Sequence, residues 1–307
     1  MIINKHKLFR EFAEKIDESR VLLDEPMKDH TSFRIGGPAD ILVIPKNLEE
    51  LKHALNVCRR IELIPYVIGN GSNLLVLDKG IRGVVIKIAS NFSSIKIFDD
   101  KIRAHAGVLL AAISKKAMEA NLSGMEFAGG IPGSLGGAIY MNAGAYGGEM
   151  KDVVEEVKVM DYSGNIKVLS KKEMNFGYRH SRIQEEDFLI ILEALLKLQK
   201  GDYNTIKQRM DELAQRRKLK QPLCLPSAGS TFKRPDGFYA GKLIEELGLK
   251  GYRVGDAQVS ELHAGFIVNV GNATAKDVLE LIKQIQQKAK ERYNVDLEPE
   301  VKILGEY

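Results

Sequence analysis

Tyr178, Arg179, Ser230 and Glu300 lie where their surroundings in the sequence could put them to chemical use. Tyr178-Arg179-His180-Ser181 is a compact polar cluster directly before an apolar run. The guanidinium of Arg179 is a rigid fork suited to a carboxylate. The plainer alternative pairs it with Glu185 or Glu186 on the surface. Ser230 lies in Ser227-Ala-Gly-Ser230-Thr-Phe-Lys233, after Pro222 and Pro226 have forced an extended approach. Gly229 lets another group come close to its hydroxyl. No G-x-S-x-G elbow surrounds it, which argues against a hydrolase nucleophile. Proton donation and a simple turn role both stay open. Lys233 could neutralise a phosphate one turn away. Glu300 opens an apolar strand behind Pro299. It is either a solvated edge charge or an acid or electrostatic partner inside a cleft.

Two glycine-rich segments could hold a large anionic group. Gly124 to Glu149 reads GMEFAGGIPGSLGGAIYMNAGAYGGE, with almost no charge inside it. Glycine loses the most backbone freedom on folding, so this density is costly. Close approach of bare N–H groups to phosphate oxygens would compensate. The alternative is a set of tight turns, whose shapes Pro132, Ser134 and Asn142 would fix. Gly69-Asn-Gly-Ser-Asn73 follows a strand, where a phosphate-binding turn belongs. It is not a dinucleotide fingerprint, because the third glycine would fall at Leu74 and a strand follows. Nor does a G-x-x-x-x-G-K-[ST] loop occur. Together the two segments suit a long pyrophosphate-bearing cofactor. His30-Thr-Ser-Phe-Arg-Ile-Gly-Gly-Pro38 is either a cofactor contact or a structural turn. The six histidines have no H-x-x-x-H spacing, and Cys58 and Cys224 are far apart, so no metal site is expected.

The elements that must position these residues follow from periodicity. A surface helix is expected over 5–20. A β-α-β unit comes next: strand Ala39 to Ile44, a helix over 47–62 capped by Asn47, and strand Pro65 to Ile68. Strands at Leu74 to Leu77 and Val84 to Ile88 complete a first block. A second block has strands at Ile95–Phe98 and Ile102–His105, a helix from Leu109 to Asn121 and the glycine segment. A hairpin, Val153–Asp161 with Ile166–Leu169, and a strand at Phe188–Leu198 close it. The third begins with a basic helix over 205–221. A helix at Lys242–Leu249, a strand at Phe266–Val270, a long helix capped by Thr274 with Asp277 in its first turn, and a strand at Glu300–Leu304 follow. Helices and strands interleave in three lobes, giving an α+β or α/β class.

Composition narrows the partners. The chain has 307 residues, 45 of them Lys or Arg and 41 Asp or Glu, for a net charge of +4. So small an excess does not argue for nucleic acid but suits an anionic small molecule. The charged, amphipathic N-terminus is no secretory signal, and no window is long and apolar enough for a membrane span. Reduced thiols in a cytoplasm are expected.

The motifs HTSFRIGGPAD, YVIGNGSNLLV, FAGGIPGSLGGAIYMNAGAYG, FGYRHS, PSAGSTFKRP and LEPEVKILG, in this order, resemble the UDP-N-acetylenolpyruvoylglucosamine reductase (UDP-N-acetylmuramate dehydrogenase) family of peptidoglycan synthesis. The resemblance implies an α+β, three-lobed flavoenzyme of the vanillyl-alcohol-oxidase-like FAD-binding fold. Residues 1–88 would form a first FAD lobe, with 298–307 a candidate to return to it. Residues 89–200 would form a second lobe and 201–297 a substrate-binding domain. FAD would be lined by Ile68, Gly69, Asn70, Gly71, Ser72, Asn73 and Leu74, and by Gly129, Gly130, Ile131, Pro132, Gly133, Ser134, Gly136, Gly137, Asn142, Ala143 and Gly144. Tyr146 is a weaker candidate.

By the same resemblance Ser230 matches the family's proton-donating serine, Arg179 its catalytic arginine and Glu300 its catalytic glutamate. Tyr178 looks like a substrate-contacting tyrosine. Arg217, Lys218, Lys220 and Lys233 resemble the site for the UDP diphosphate. NADPH would reduce the flavin and leave before the enolpyruvyl ether binds. Hydride would then reach C3, and Ser230 would protonate C2. Between Arg182 and Lys200 the chain lacks the tyrosine-bearing insertion of one branch, so it resembles the shorter branch. A cytoplasmic monomer is expected. The rival is another FAD oxidase or dehydrogenase of this fold, acting on an alcohol or sugar lactone. A colourless, non-catalytic nucleotide-binding protein is the rival from outside enzymology.

Overall fold

Asn47 starts the helix that follows the strand Pro38–Val43. Its side-chain oxygen accepts the N–H of Glu50 at 2.9 Å, capping the helix Leu48–Arg60. That helix buries Leu51, Ala54, Leu55, Val57 and Cys58 along one face. Each buried leucine contributes about 1.5–3 kcal/mol, so the apolar stripe outweighs the modest helix propensity. Burial pushes the Cys58 thiol up to about 12, which leaves it inert. The computed structural model describes residues 4–90, 92–186 and 188–306.

The chain divides into two compact units. The first takes in the chain to Leu23, Ile41–Asn70 and Gly83–Arg217. A four-stranded sheet, most of whose residues belong to this unit, runs in the order Val21–Pro26, Pro38–Val43, Ile81–Lys87, Tyr66–Ile68. Its last two strands are parallel, with Tyr66 opposite Val85. A five-stranded antiparallel sheet has the order Ile166–Ser170, Val154–Asp161, Leu189–Lys197, Lys101–His105, Ile95–Phe98. Helix Leu110–Glu119 buries Leu110, Ile113 and Ala117 in the same core.

The second unit comprises Asp24–Asp40, Gly71–Arg82 and the chain from Lys218 onward. Its antiparallel sheet has the order Ser227–Ser230, Phe266–Asn269, Ala257–Val259, Arg253–Val254. Helix Ala275–Tyr293 starts in a capping box between Thr274 and Asp277. Its free N–H groups at Ala275 and Lys276 donate to the carboxylate of Asp78 at 2.8 and 3.0 Å. Leu281, Ile282 and Ile285 of that helix join Leu75, Leu77 and Phe232 in a separate core.

Three expectations change, and one alternative narrows. The first helix spans only Lys5–Ala13. Asp17 accepts the N–H of Ser19 at 3.0 Å and starts a new turn, Glu18–Arg20, so the local bond wins over helix continuation. Pro38–Val43 and Tyr66–Ile68 share a sheet, but Ile81–Lys87 lies between them. Leu74–Val76 leaves that sheet and pairs in parallel with Lys302–Leu304. The glycine segment is not all turns, since it contains the short helix Leu135–Tyr140.

Candidate active site

Ser230 owes its exposure to its neighbour. Thr231 is 5% exposed, and its hydroxyl accepts the N–H of Ile267 at 3.0 Å while its own N–H donates to Gly265 at 2.8 Å. Successive side chains on extended backbone point to opposite faces, so locking Thr231 inward turns Ser230 outward. Ser227 pairs with Val268 but Ser230 with Phe266, so the strand carries an extra residue. Gly229 absorbs the irregularity at φ +80°. Ser32 pins the start of this strand by donating its hydroxyl to the carbonyl of Ser227 at 2.6 Å.

Glu300 is brought to the same strand from seventy positions away in sequence. Its N–H donates to the carbonyl of Thr231 at 2.8 Å, and the N–H of Lys233 donates to Glu298 at 2.8 Å. Pro299 bridges Phe232 between them. Val301 is buried, which puts Glu300 and Lys302 on the opposite face. Lys233 forms an ion pair with Glu298. Burial, then the nearby Lys233 charge, lowers the ammonium pKa of Lys302.

Arg179 belongs to the first unit and has a left-handed backbone, φ +54°. A non-glycine residue there is strained by about 1–3 kcal/mol. Three partners over-determine the turn. Gly177 and His180 exchange backbone bonds at 3.1 and 3.3 Å. Gln184 donates to the Arg179 carbonyl at 3.1 Å and to Tyr140 at 2.7 Å. Asn142 donates to Gly177 at 2.8 Å. The guanidinium donates to the carbonyl of Gly144 at 3.3 Å and lies 5.1 Å from the centre of the Tyr178 ring. The two glutamates considered as its surface partners are engaged elsewhere: Glu185 with His180 at 2.9 Å, Glu186 with Arg182 at 2.7 Å.

Asn142 is wholly buried, and its side chain is spent on the protein. Besides Gly177 it donates to Glu149 at 2.6 Å, and its oxygen accepts the N–H of Lys151 at 2.9 Å. It ties the glycine segment to the Arg179 turn and keeps no side-chain donor for a cofactor. Local sequence gives no signal of this, nor of Gln184. Asn142→Ala should lower unfolding stability by about 2–3 kcal/mol, because it strands buried groups. Urea denaturation of the purified protein checks this.

The basic run resolves by burial. Lys218 and Lys220 are exposed, whereas Arg217 is half-buried. A Cβ on Gly130 would lie 2.9 Å from Cδ of Arg217, so the glycine leaves room for that side chain. Burial lowers the Arg217 pKa, with Tyr146 opposing. No carboxylate of the described residues pairs with it. An unpaired, half-buried guanidinium beside bare backbone suits an anionic ligand.

Gly69 and Ser134 test the fit of a dinucleotide. Ser134 is 2% exposed, and its hydroxyl has no hydrogen-bond partner among the described residues. A Cβ on Gly69 would collide with that hydroxyl. Asn70 donates to Pro132 at 2.6 Å and joins the two glycine segments. A buried unpaired hydroxyl costs about 1–3 kcal/mol; a phosphate oxygen over the bare Gly69 backbone would satisfy it. The residues therefore fit FAD, which Gly69 and Ser134 would help to hold. Not every glycine needs a ligand: Gly71, at φ +67°, is required by packing against the His30 carbonyl. Gly69→Ala should weaken FAD binding about tenfold, equivalent to 1.4 kcal/mol. Fluorescence titration of the apoprotein reads this directly.

The comparisons with known proteins cover both units. Residues 39–170 match the family model described as an FAD binding domain. Residues 221–304 match that of the UDP-N-acetylenolpyruvoylglucosamine reductase C-terminal domain. The UDP-N-acetylenolpyruvoylglucosamine reductase of Alkaliphilus oremlandii is 54% identical over 304 residues, covering 99% of this chain and all of that one. The enzyme of the same name from Caldanaerobacter subterraneus subsp. tengcongensis is 54% identical over 299 residues, 97% of this chain and 98% of its own. The crystal structure of the Thermus caldophilus reductase aligns with a TM-score of 0.78 at 41% identity, covering 92% of this chain and 98% of that one. The chain belongs to the UDP-N-acetylenolpyruvoylglucosamine reductase family.

Proposed function

We propose that in the reaction of this family, the NADPH-dependent reduction of UDP-N-acetylglucosamine enolpyruvate to UDP-N-acetylmuramate, Ser230 is the proton donor of this chain. Arg179 and Glu300 stabilise the charge that builds on the substrate, and Arg217 holds its diphosphate. The observation that supports the reading is the backbone bond from Glu300 to Thr231, which joins the Glu300 main chain to the residue next to the exposed Ser230. Bound FAD supplies the hydride carrier between NADPH and the enolpyruvyl double bond.

The chain's residues handle charge and protons. A hydride gained at C3 leaves an electron pair at C2, delocalised into the substrate carboxylate. The planar fork of Arg179 matches that carboxylate, and its strained turn fixes the direction of the fork. Glu300, when protonated, donates a hydrogen bond to the same developing enolate. Fixed donors of this kind are worth about 2.7–4 kcal/mol each. The Ser230 hydroxyl gives its proton to C2 and regains one from solvent. NADPH and one proton are consumed, and NADP and the lactyl ether leave. An alcohol is a weak acid in water. Ser230 becomes competent because the enolate is strongly basic and the Thr231 lock holds the hydroxyl ready.

Tyr178 is 53% exposed, and in this reading it contacts the substrate. Cys58 and Cys224 are both free thiols, which suits the cytoplasm in which we place the reaction. An alcohol or sugar-lactone oxidase is not favoured, because the full-length relatives are reductases by name. The purified protein should be yellow and should bleach with NADPH in the absence of oxygen. Colour should return on addition of the enolpyruvyl substrate. A colourless protein, or one that NADPH does not bleach, contradicts the reading.

A further inference from the structure

The turn at Gly69 to Asn73 reads as a cofactor segment, yet its last side chain is committed to something else. The amide of Asn73 donates to the main-chain carbonyl of Glu300 at 3.1 Å. The main-chain carbonyl of Asn73 accepts the N–H of Lys302 at 2.9 Å. One residue thus grips both ends of the three-residue segment 300–302, whose middle side chain, Val301, is buried. The parallel ladder from Lys302 opposite Leu74 to Leu304 opposite Val76 begins at this grip.

We propose that Asn73 is a positioning residue for Glu300. The inference rests on the reading that Glu300 acts on the substrate. Both main-chain polar groups of Glu300 are held, and by different parts of the chain. Its N–H goes to Thr231, beside Ser230, and its carbonyl goes to the Asn73 amide. Thr231 alone would hold Glu300 itself by one of its two main-chain polar groups, with Pro299 before it unable to donate. The second bond removes that freedom and fixes where the carboxylate leaves the backbone. Main-chain donors extend most ladders and tolerate any side chain. Here the donor is a side chain, so the identity of residue 73 matters. Aspartate has the same shape but, when ionised, only accepts, and would face the Glu300 carbonyl with like polarity.

The test separates this role from cofactor binding and from failure of the Glu300 reading. Asn73→Ala, Asn73→Asp, Glu300→Gln and the double variant Asn73→Ala/Glu300→Gln are prepared as FAD-loaded proteins. Three quantities are measured on each: FAD affinity of the apoprotein, the rate of bleaching by NADPH, and the rate of recolouring by the enolpyruvyl substrate. Asn73→Ala should keep FAD affinity and bleaching within about twofold. Its recolouring should slow by about 10–100-fold, the effect of misplacing a group by an ångström or less. Asn73→Asp should be at least as slow, and it serves as the test if the alanine variant fails to fold. The double variant should be no slower than Glu300→Gln alone, because both remove one function.

Loss of FAD affinity with equal slowing of both half-reactions would make Asn73 a cofactor ligand and overturn the proposal. So would full additivity with Glu300→Gln, or a normal rate in both Asn73 variants while Glu300→Gln is slow. Normal recolouring in Glu300→Gln overturns the Glu300 reading itself, and the positioning role with it.

Discussion

Replacing Ser230 by alanine should leave bleaching by NADPH near the normal rate and slow recolouring by the enolpyruvyl substrate about 10²–10⁴-fold, the usual worth of a positioned acid. The asymmetry follows from the chemistry. Taking a hydride from NADPH needs no proton at C2, whereas completing the lactyl ether does. The backbone of the strand should survive, because the Thr231 hydroxyl and the Gly265 and Ile267 bonds that set its register do not involve the Ser230 side chain. Anaerobic stopped-flow measurement at the flavin absorbance separates the two steps. Equal loss in both would remove Ser230 from proton transfer. Ser230→Cys, which keeps an ionisable hydrogen, should recover part of the rate.

Arg179→Lys should be almost as damaging, slowing substrate-driven recolouring about 10²–10³-fold, in line with removal of one strong electrostatic donor. Lysine keeps the charge but loses the planar fork, and it cannot reproduce two parallel bonds to a carboxylate. The turn itself should persist. Its holders are the Gly177–His180 exchange, Gln184 and Asn142, all acting on backbone atoms. A loss concentrated in recolouring, with an unchanged unfolding midpoint, is therefore the expected result. Near-normal turnover in this variant would count against the assignment. Arg179→Gly gives a second check: it relieves the φ of +54° but should be equally slow, since relief of strain does not replace a guanidinium.

Parts of the fold were legible because the signal is local. Asn47 and the pair Thr274 and Asp277 mark helix starts by side-chain chemistry alone, and the structure has both caps. The hairpin strands Val154–Asp161 and Ile166–Ser170 lie within about a residue of their expected limits. What could not be read depends on distant partners. Leu74–Val76 has strand composition, but its pairing with Lys302–Leu304 is set by tertiary packing across most of the chain, and only the family resemblance suggests a return of 298–307. The helix Leu135–Tyr140 contains Gly136 and Gly137, which disfavour helix locally, and the bond from Gly136 to Ala106 and the packing of buried Leu135 and Ile139 override them.

The same division runs through the candidate site. Ser230, Arg179 and Glu300 stand in short motifs that can be read off the chain. The residues that aim or anchor them do so through single hydrogen bonds over 35 to more than 200 positions: Asn142 to Gly177, Ser32 to Ser227, Asn73 to Glu300. Nothing in local composition marks such bonds. Among Arg217, Lys218 and Lys220 the sequence offers three equivalent cations, and only burial against Gly130 distinguishes Arg217.

The most direct test is a crystal structure of the FAD-loaded protein with the enolpyruvyl substrate bound. The Ser230 hydroxyl should lie about 3–3.5 Å from C2, the distance of a near-attack geometry, with Arg179 forked on the substrate carboxylate. A hydroxyl turned away from C2, or a carboxylate held by some other cation, would contradict the account.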